Sequence, residues 1–248
     1  MPGRLLILTA AFHPAFPIPT PFLKSARQAG LQADIVLLCH RRDEKVEQEL
    51  QRLYPNTYVI APLRYDLLRV VRRILVSTGL VKPMARITRA IWKNSGILRK
   101  RIEAIAPYLL AITLGRFFLT RSFLRKGANK YSAVLLIDSR DVIFQRNPLE
   151  DFGGGLLAGL ENTAIEDQPQ NCKWLEQIYS ESPETLSELW PKKVICSGVT
   201  LGGASQILAY LDLMCAEFLE QLPQVAYTEY LDQAVHNKLL YGECHDLD

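Results

Sequence analysis

Two aspartates stand where a buried strand of the predicted fold ends. Five apolar residues, Ala133–Ile137, run directly into Asp138, and Asp141 follows three positions later. A carboxylate buried at a strand end is unfavourable without a partner, so a ligand or counter-ion is expected there. Two carboxylates with open coordination positions suit Mg²⁺ or Mn²⁺ completed by the phosphates of a ligand. In the alternative, structural interpretation, Asp138 caps the next turn and Asp141 pairs with Arg140.

Arg140, between these acids, also allows two interpretations. Its guanidinium group is a fork that binds phosphate or carboxylate groups. Alternatively, it forms a structural salt bridge. The residue type alone leaves both interpretations open.

A second polar cluster lies near the end of the sequence, at Asp232, Gln233, His236 and Asn237. On a helix, Asp232 and His236 share one face, as do Gln233 and Asn237, because residues four apart are neighbours. Such a set suits the hydroxyl groups of a sugar. The alternative is an exposed polar stripe that contains an Asp–His pair.

Ser197 and Gly198 follow a short apolar strand, close to the pair Gly202-Gly203. Glycine allows backbone N–H groups to approach a ligand closely, and the clustering of glycines favours this interpretation. The alternative is a tight turn beside a buried Cys196.

The elements that must position these groups alternate between strand and helix. Apolar runs predict strands, and Gly30 and Asp43 mark the end of the first helix and the start of the second. The predicted strands are 5–9, 34–39, 57–60, 133–137, 156–161, 193–197 and 200–202, and the predicted helices are 22–29, 43–53, 66–76, 84–93, 116–126, 206–219 and 228–240. This order predicts a parallel sheet with right-handed crossovers, whose ligands bind beyond the carboxyl ends of the strands.

The charge of the chain is unevenly distributed. The 248 residues carry a net charge of only +3, which argues against a nucleic-acid-binding protein with a uniformly basic surface. Residues 64–130, however, hold 16 Lys and Arg against 2 Asp and Glu. The predicted helices 66–76 and 84–93 place basic residues on one face and apolar residues on another. This pattern fits an anionic membrane surface or a solvated helix face.

Two further observations concern the cell compartment. The five cysteines contain no CxxC pair, which is typical of reduced thiols in a cytosol-like compartment. The N-terminal apolar run is followed at once by prolines, so we expect a strand there rather than a signal peptide. The apolar segment 104–119 is shorter than the ~20 residues that a membrane span needs. We therefore expect a cytoplasmic protein, with a peripheral membrane contact as the open alternative.

One segment resembles a known family. Val134–Pro148, with the sequence VLLIDSRDVIFQRNP, resembles the metal-binding segment of GT-A-fold glycosyltransferases. The short form of that motif is Asp-x-Asp, whereas the Asp-x-x-Asp of this chain matches a subgroup with the pattern Asp-x-Arg-Asp-Val-x-Phe-Gln. Which aspartate holds the ion and which holds ribose stays open. Segments 5–9, 116–121, 196–202 and 230–237 resemble, in the same order, the first strand, the basic helix, the acceptor-side turn and the Asp-Gln helix of that family.

The resemblance implies a single GT-A-like α/β domain over residues 1–248, with a mostly parallel central sheet flanked by helices and with 64–130 as a basic helical region. It implies transfer of a hexose from a nucleoside diphosphate sugar to a hydroxyl acceptor, with Mn²⁺ or Mg²⁺ as cofactor. The resemblance also implies roles for single residues. Asp138 and Asp141 would bind the metal, and Arg116 and Arg140 would bind phosphate. The base and ribose pocket would be lined by Thr9, Ala10 and Phe12. Donor binding would involve Ser197, Gly198 and His236, and the residues acting at the donor sugar would be Asp232 and Gln233.

The family usually supplies one more metal ligand, a histidine beyond the Asp-Gln helix. In this sequence His245 is the histidine in that region, but its context does not match. Three alternatives stay open: His245 replaces this ligand, the ligand is absent, or it lies outside the sequence. An absent ligand would suit a relative that binds nucleotide sugar without turning it over.

Two function classes outside the family stay open. An aspartyl phosphohydrolase also places an aspartate after a buried strand, but needs a second acid where this chain has Arg140. A membrane-surface adaptor would use the basic helices.

Overall fold

The computed structural model describes residues 4–10, 20–39, 43–60, 70, 73–140, 142–226 and 228–244. Three residues singled out in the sequence, Phe12, Asp141 and His245, lie outside these ranges. Most of the predicted helix 66–76 also lies outside them, and its described residues 70 and 73–76 are helical.

The strands of the described ranges form one mixed sheet. They are β1 (Leu5–Ala10), β2 (Ala33–Leu38), β3 (Thr57–Ile60), β4 (Ala133–Ile137), β5 (Leu156–Ala164) and β6 (Lys193–Gly203), in the order β3-β2-β1-β4-β6-β5. β1 is parallel to β2 and β4, and β2 is parallel to β3, whereas β6 is antiparallel to both β4 and β5. The carboxyl ends of β1 and β4 therefore lie side by side in the middle of the sheet.

Helices cover both faces of this sheet. They are α1 (Thr20–Gln28), α2 (Glu44–Leu53), α3 (Val81–Asn94), α4 (Gly96–Leu109), α5 (Ile112–Arg125), α6 (Pro169–Tyr179), α7 (Pro183–Leu189), α8 (Ala204–Glu220), α9 (Leu222–Val225) and α10 (Asp232–Tyr241). The predicted N-cap of α2 is confirmed, because the carboxylate of Asp43 accepts hydrogen bonds from the N–H groups of Lys45 and Val46.

Successive side chains of the central strands point to opposite faces of the sheet, and each face has its own hydrophobic core. Leu6 and Val134 face a core shared with α5, α8 and α10, in which the rings of Phe117 and Phe218 lie 5.5 Å apart. Residues one position along, such as Leu5, face a second core shared with α1 and α2. The central strands are buried on both sides, which explains their unbroken apolar sequences.

β6 differs from the sequence prediction. We predict two strands around a turn at Gly198, but one strand runs through this residue. The neighbouring residues Ala158 and Gly159 of β5 pair with Thr200 and Cys196, so residues 197–199 of β6 bulge away from β5. The glycine therefore marks a β-bulge inside a strand and not the end of one.

The basic region 64–130 is partly neutralised by acidic residues of α8. Lys93 pairs with Glu220 at 2.6 Å, and Arg125 pairs with Asp212 at 2.6 Å. The nearly buried Arg121 lies between Glu103 and Asp212. Part of the charge asymmetry thus serves to join the basic helices to α8.

Among the described residues, the helices are too short or too polar for any of them to cross a bilayer.

Candidate functional site

Arg116 joins the two acidic segments that the sequence singles out. Its guanidinium group, on α5, donates from Nη1 to Oδ1 of Asp138 over 2.5 Å and from Nη2 to Oδ2 of Asp232 over 2.7 Å. Asp138 directly follows β4, and Asp232 is the first residue of α10. The side chain of Asp138 is 44% exposed and that of Asp232 only 9%. Arg116, Asp138 and Asp232 form a trio, and its solvent-exposed side is at Asp138.

The backbone around Asp138 is held by both neighbouring strands. Its N–H donates to the carbonyl of Gly198 on β6 over 2.9 Å. The next N–H, of Ser139, donates to Oγ1 of Thr9 on β1 over 3.1 Å. These bonds fix the direction in which the chain leaves β4, and thereby the position of the Asp138 carboxylate.

Gly198 lies against this carboxylate. A β-carbon at Gly198 would lie 3.3 Å from Oδ2 of Asp138 and 3.4 Å from Sγ of Cys196. The sequence indicated that a group approaches Gly198 closely. In the structure this group is the carboxylate of Asp138, the predicted metal ligand.

Asp232 lies in the first turn of α10, where backbone N–H groups stabilise negative charge. The chain reaches this helix through Tyr230, whose φ of 65° is in the left-handed region. For a residue with a bulky side chain this conformation costs on the order of 1–3 kcal/mol. Strained backbone therefore lies two residues before the buried carboxylate.

Burial and charge act on this trio in opposite directions. Burial disfavours the charge of Arg116, but the carboxylates of Asp232 and Asp138 outweigh it and raise the Arg116 pKa. Burial raises the pKa of Asp232, Arg116 opposes this shift, and the charge of Asp138 adds to it. One guanidinium thus serves two carboxylates, and the arginine stays cationic.

His236 is fully buried one turn after Asp232. Its Nδ1 lies 2.7 Å from the hydroxyl of Tyr210 on α8. Burial, reinforced by the positive charge of Arg116, lowers the pKa of His236 to about 3. The imidazole is therefore neutral at physiological pH, and it lies behind the trio, against α8.

Gln233 and Asn237 bind the backbone of β6. Gln233 accepts from the N–H of Ser197 over 2.8 Å and donates to the carbonyl of Ile195 over 2.9 Å. Asn237 accepts from the N–H of Ile195 over 2.8 Å and donates to the carbonyl of the same residue over 2.9 Å. These amides satisfy the backbone groups of the bulged strand and fix it to α10.

A pocket opens beside the trio at the ends of the central strands. Its lining includes residues predicted for the site, namely Thr9, Ala10, Arg116, Asp138 and Ser197. It does not include the buried Asp232 and His236 or the half-buried Gln233. Arg140 is exposed on the turn after Ser139, and Phe12 and Asp141 belong to the part of the chain that is not described.

Three further residues at the site escaped the sequence analysis. Thr120 and Thr200 line the pocket, and Tyr210 bonds to His236. Thr120 had a signal, because it lies four residues after Arg116 on the same helix face. Thr200 and Tyr210 had none, since they stand within apolar stretches of β6 and α8.

Among the described residues, one carboxylate lines the pocket and is open to a divalent cation. Asp138 is half exposed beside the pocket, and carboxylate oxygens are the ligands that Mg²⁺ and Mn²⁺ prefer. Within the described ranges, which leave out Asp141, no three His, Cys, Asp or Glu side chains are grouped so that they could hold a metal. Asp138 therefore fits the expected ion as one ligand of an incomplete set.

Comparison with known proteins gives a fold. No protein-family model and no curated protein matches the sequence. The structure is similar to that of galactosyltransferase LgtC, solved in complex with donor and acceptor sugar analogues, with a TM-score of 0.51 and 15% identity. The similarity covers 94% of this chain and 70% of that chain. The expected GT-A-like α/β fold, with helices flanking a central sheet, is confirmed.

Proposed function

We propose that the protein is a glycosyltransferase that moves a hexose from a nucleoside diphosphate sugar to a hydroxyl group of an acceptor. One observation carries this proposal: the Asp138–Arg116 pair lies at the carboxyl ends of central strands, in a fold shared with a sugar transferase over 94% of the chain. Ligands of open α/β sheets bind in the crevice beyond these strand ends.

The edge of the sheet around this pocket is the proposed donor site. Thr9 and Ala10 end β1 and line the pocket, where they would contact the base and ribose through backbone atoms. Phe12, by its position in the sequence, would add a stacking surface.

The diphosphate of the donor would lie at the solvent-facing side of the trio. Asp138, with Asp141, would hold a Mn²⁺ or Mg²⁺ ion, which supplies positive charge to the departing diphosphate. Arg116 has a raised pKa and therefore keeps its own positive charge at this edge at physiological pH. Arg140, exposed on the following turn, would add a second guanidinium to the phosphates.

The residues of α10 that do not line the pocket take positioning roles in this proposal. Asp232 orients Arg116, and Gln233 holds the N–H of Ser197 beside the pocket. His236, neutral and buried, packs behind them. Direct contact of Asp232 or Gln233 with the donor sugar stays a prediction from the family resemblance.

A thermal-shift panel tests the proposal. The melting temperature is measured with UDP- and GDP-sugars, each with and without Mn²⁺. A true donor stabilises the protein by RT ln(1 + [L]/Kd), and we expect this for one nucleotide class in the presence of the ion. Asp138→Asn should remove the shift. Asp151→Asn, which changes an exposed carboxylate paired with Arg146, should retain it. Absence of a shift with every donor would contradict the proposal.

One observation favours a second function, binding of a nucleotide sugar without turnover. Oδ1 of Asp138 is already bonded to Arg116, so part of the charge that a cation needs is neutralised. A protein of this kind would show the thermal shift but release no nucleoside diphosphate. Measuring release beside the thermal shift separates the two functions.

A further inference from the structure

Exposed apolar side chains are concentrated in one segment of the chain. Of the 15 large hydrophobic residues that are exposed in the described ranges, 10 lie between residues 70 and 105. Single exposed apolar residues are common on protein surfaces, whereas a concentration of them marks an interaction surface.

On α3 these residues form a stripe. Leu80, which caps the helix, and Met84, Ile87 and Ile91 within it are spaced by four, three and four positions, which places them along one face. All four are exposed, and Ile87 is 61% exposed. The opposite side of the helix carries Ala85 and Trp92 into the core, so the stripe is a second apolar face that the described residues do not cover.

α4 continues this pattern with basic residues between the apolar ones. Ile97, 85% exposed, and Ile105 lie on the solvent-facing side, and Arg101 falls between them in helical position. Lys100 flanks this face. The buried side of α4 carries Ile102 and Ala106 into the core. The helix therefore exposes a mixed apolar and basic face.

The charge of this surface has one sign. In the described stretch 73–106, the acidic residue is Glu103, against eight Lys and Arg. Glu103 is engaged by Arg99 and Arg121, and Glu220 of α8 is engaged by Arg89 and Lys93. Among the described residues, no carboxylate lies within ion-pair distance of Arg86, Lys100 or Arg101, all of which are exposed.

From this placement we propose that α3 and α4 form a docking surface for an anionic lipid membrane. The apolar stripe of α3 and the residues Ile97 and Ile105 of α4 enter the boundary between headgroups and acyl chains. Lys100 and Arg101 bind the lipid phosphates. Apolar area and electrostatic attraction together determine the strength of such interfacial binding. Exposed cations beside exposed isoleucines match the phosphates and acyl chains that lie next to each other at such a membrane surface.

The surface is connected to the candidate site. α4 packs on α5, the helix that carries Arg116. Docking through α3 and α4 would therefore hold the pocket near the membrane. The proposal is independent of the donor chemistry, since none of its residues contacts the pocket.

Co-sedimentation of the full chain with vesicles tests this proposal. Vesicles of phosphatidylcholine containing phosphatidylglycerol should bind the protein, with an affinity that falls as salt is added. Pure phosphatidylcholine should bind it far more weakly. Each basic residue near an anionic surface contributes roughly a fivefold factor, so Lys100→Gln/Arg101→Gln should weaken binding about 25-fold. Ile87→Glu and Ile97→Glu should also release the protein.

Matched variants elsewhere on the surface provide the controls. Lys173→Gln removes an exposed charge, and Ile143→Glu and Leu160→Glu alter side chains as exposed as Ile87. These should bind vesicles like the unaltered chain, and circular dichroism checks that every variant is folded. Binding that ignores lipid charge, or that survives both the Lys100/Arg101 and the Ile87 changes, would overturn the proposal. The donor-induced thermal shift of Lys100→Gln/Arg101→Gln reports separately on the candidate site.

Discussion

Gly198 stands so close to Asp138 that a β-carbon on it would lie 3.3 Å from the carboxylate oxygen Oδ2. The same glycine accepts the backbone N–H of Asp138 through its carbonyl. The bulge of β6 and the acidic end of β4 are therefore coupled. Through Gly198, β6 binds the backbone of Asp138 and leaves room for its carboxylate.

Replacing Gly198 with alanine should displace this carboxylate. The added methyl group requires Asp138 or Cys196 to move by a few tenths of an ångström, and misplaced ligands reduce binding and catalysis sharply. We expect Gly198→Ala to weaken Mn²⁺-dependent donor binding at least tenfold, with a loss of folding stability of about 1 kcal/mol. Titration of the donor and urea unfolding measure the two effects.

Gly159→Ala is the matched control. It lies on β5, where the added β-carbon would meet Cβ of Cys196 at 3.8 Å, an ordinary contact. Donor binding should be unchanged in this variant. Equal losses in Gly198→Ala and Gly159→Ala would remove the special role of Gly198.

Removing Arg116 should destabilise the protein mainly through Asp232. Arg116→Met leaves a buried carboxylate without its cation, and breaking a buried pair in this way costs about 3–5 kcal/mol. The half-exposed Asp138 adds less, because solvent screens its charge. Urea unfolding measures this cost.

A second change distinguishes this electrostatic cost from lost packing. Asp232→Asn removes the unpaired charge, so Arg116→Met/Asp232→Asn should be more stable than Arg116→Met alone. If Asp232→Asn gives no recovery in the Arg116→Met background, burial of the charge is not the cause of the loss.

His236 should make stability depend on pH. Burial first, and the charge of Arg116 second, lower its pKa from 6.5 to about 3 in the folded protein. Below pH 6.5 His236 binds a proton in the unfolded chain but not in the folded protein. The free energy of unfolding therefore falls as the pH decreases towards 3. The slope from this residue is at most about 1.4 kcal/mol per pH unit.

His236→Gln should flatten this dependence. The glutamine side chain can accept from or donate to the hydroxyl of Tyr210, but it does not titrate. The difference in unfolding free energy between the two proteins, measured from pH 7 to pH 4, isolates the histidine from the other acid-sensitive groups. A difference that is constant with pH would mean that His236 is not held neutral by burial.

Asn237 should be a stabilising residue. Its amide makes two bonds with the backbone of Ile195, and its loss removes the acceptor of that N–H, whereas the carbonyl keeps its bond from Gln233. We expect Asn237→Ala to cost about 2–3 kcal/mol in urea unfolding. Asn162→Ala, which removes a surface bond to Lys193, should cost less than about 0.5 kcal/mol. Similar costs for the two variants would contradict this role.

Local sequence patterns predicted the parallel strands β1 to β4 and most helices because the apolar runs are strong, but they did not predict that β6 is one antiparallel strand. The unbroken run before Asp138 is buried on both faces, as it must be in a central strand. The glycines around Gly198 correctly indicated a special backbone position, but a bulge and a turn share that signal.

The partners of the site residues were not predictable in the same way. Arg116 and Asp232 are 116 positions apart, and they meet because α5 and α10 both pack on α8. The polar faces of α10 suggested sugar hydroxyls as partners, yet Gln233 and Asn237 bind β6, because the bulged strand leaves backbone groups that need partners. Sequence spacing places side chains on a helix face, but it does not identify what the face meets.

Release of nucleoside diphosphate from a sugar donor tests the central claim most directly. The purified chain is incubated with the donor that shifts its melting temperature, with Mn²⁺ or with a chelator, and the released diphosphate is measured. The account predicts release that requires the ion, that is lost in Asp138→Ala and that persists in Asp151→Asn. If Asp138→Ala released nucleoside diphosphate at the same rate as the unaltered protein, the assignment of the site would be contradicted.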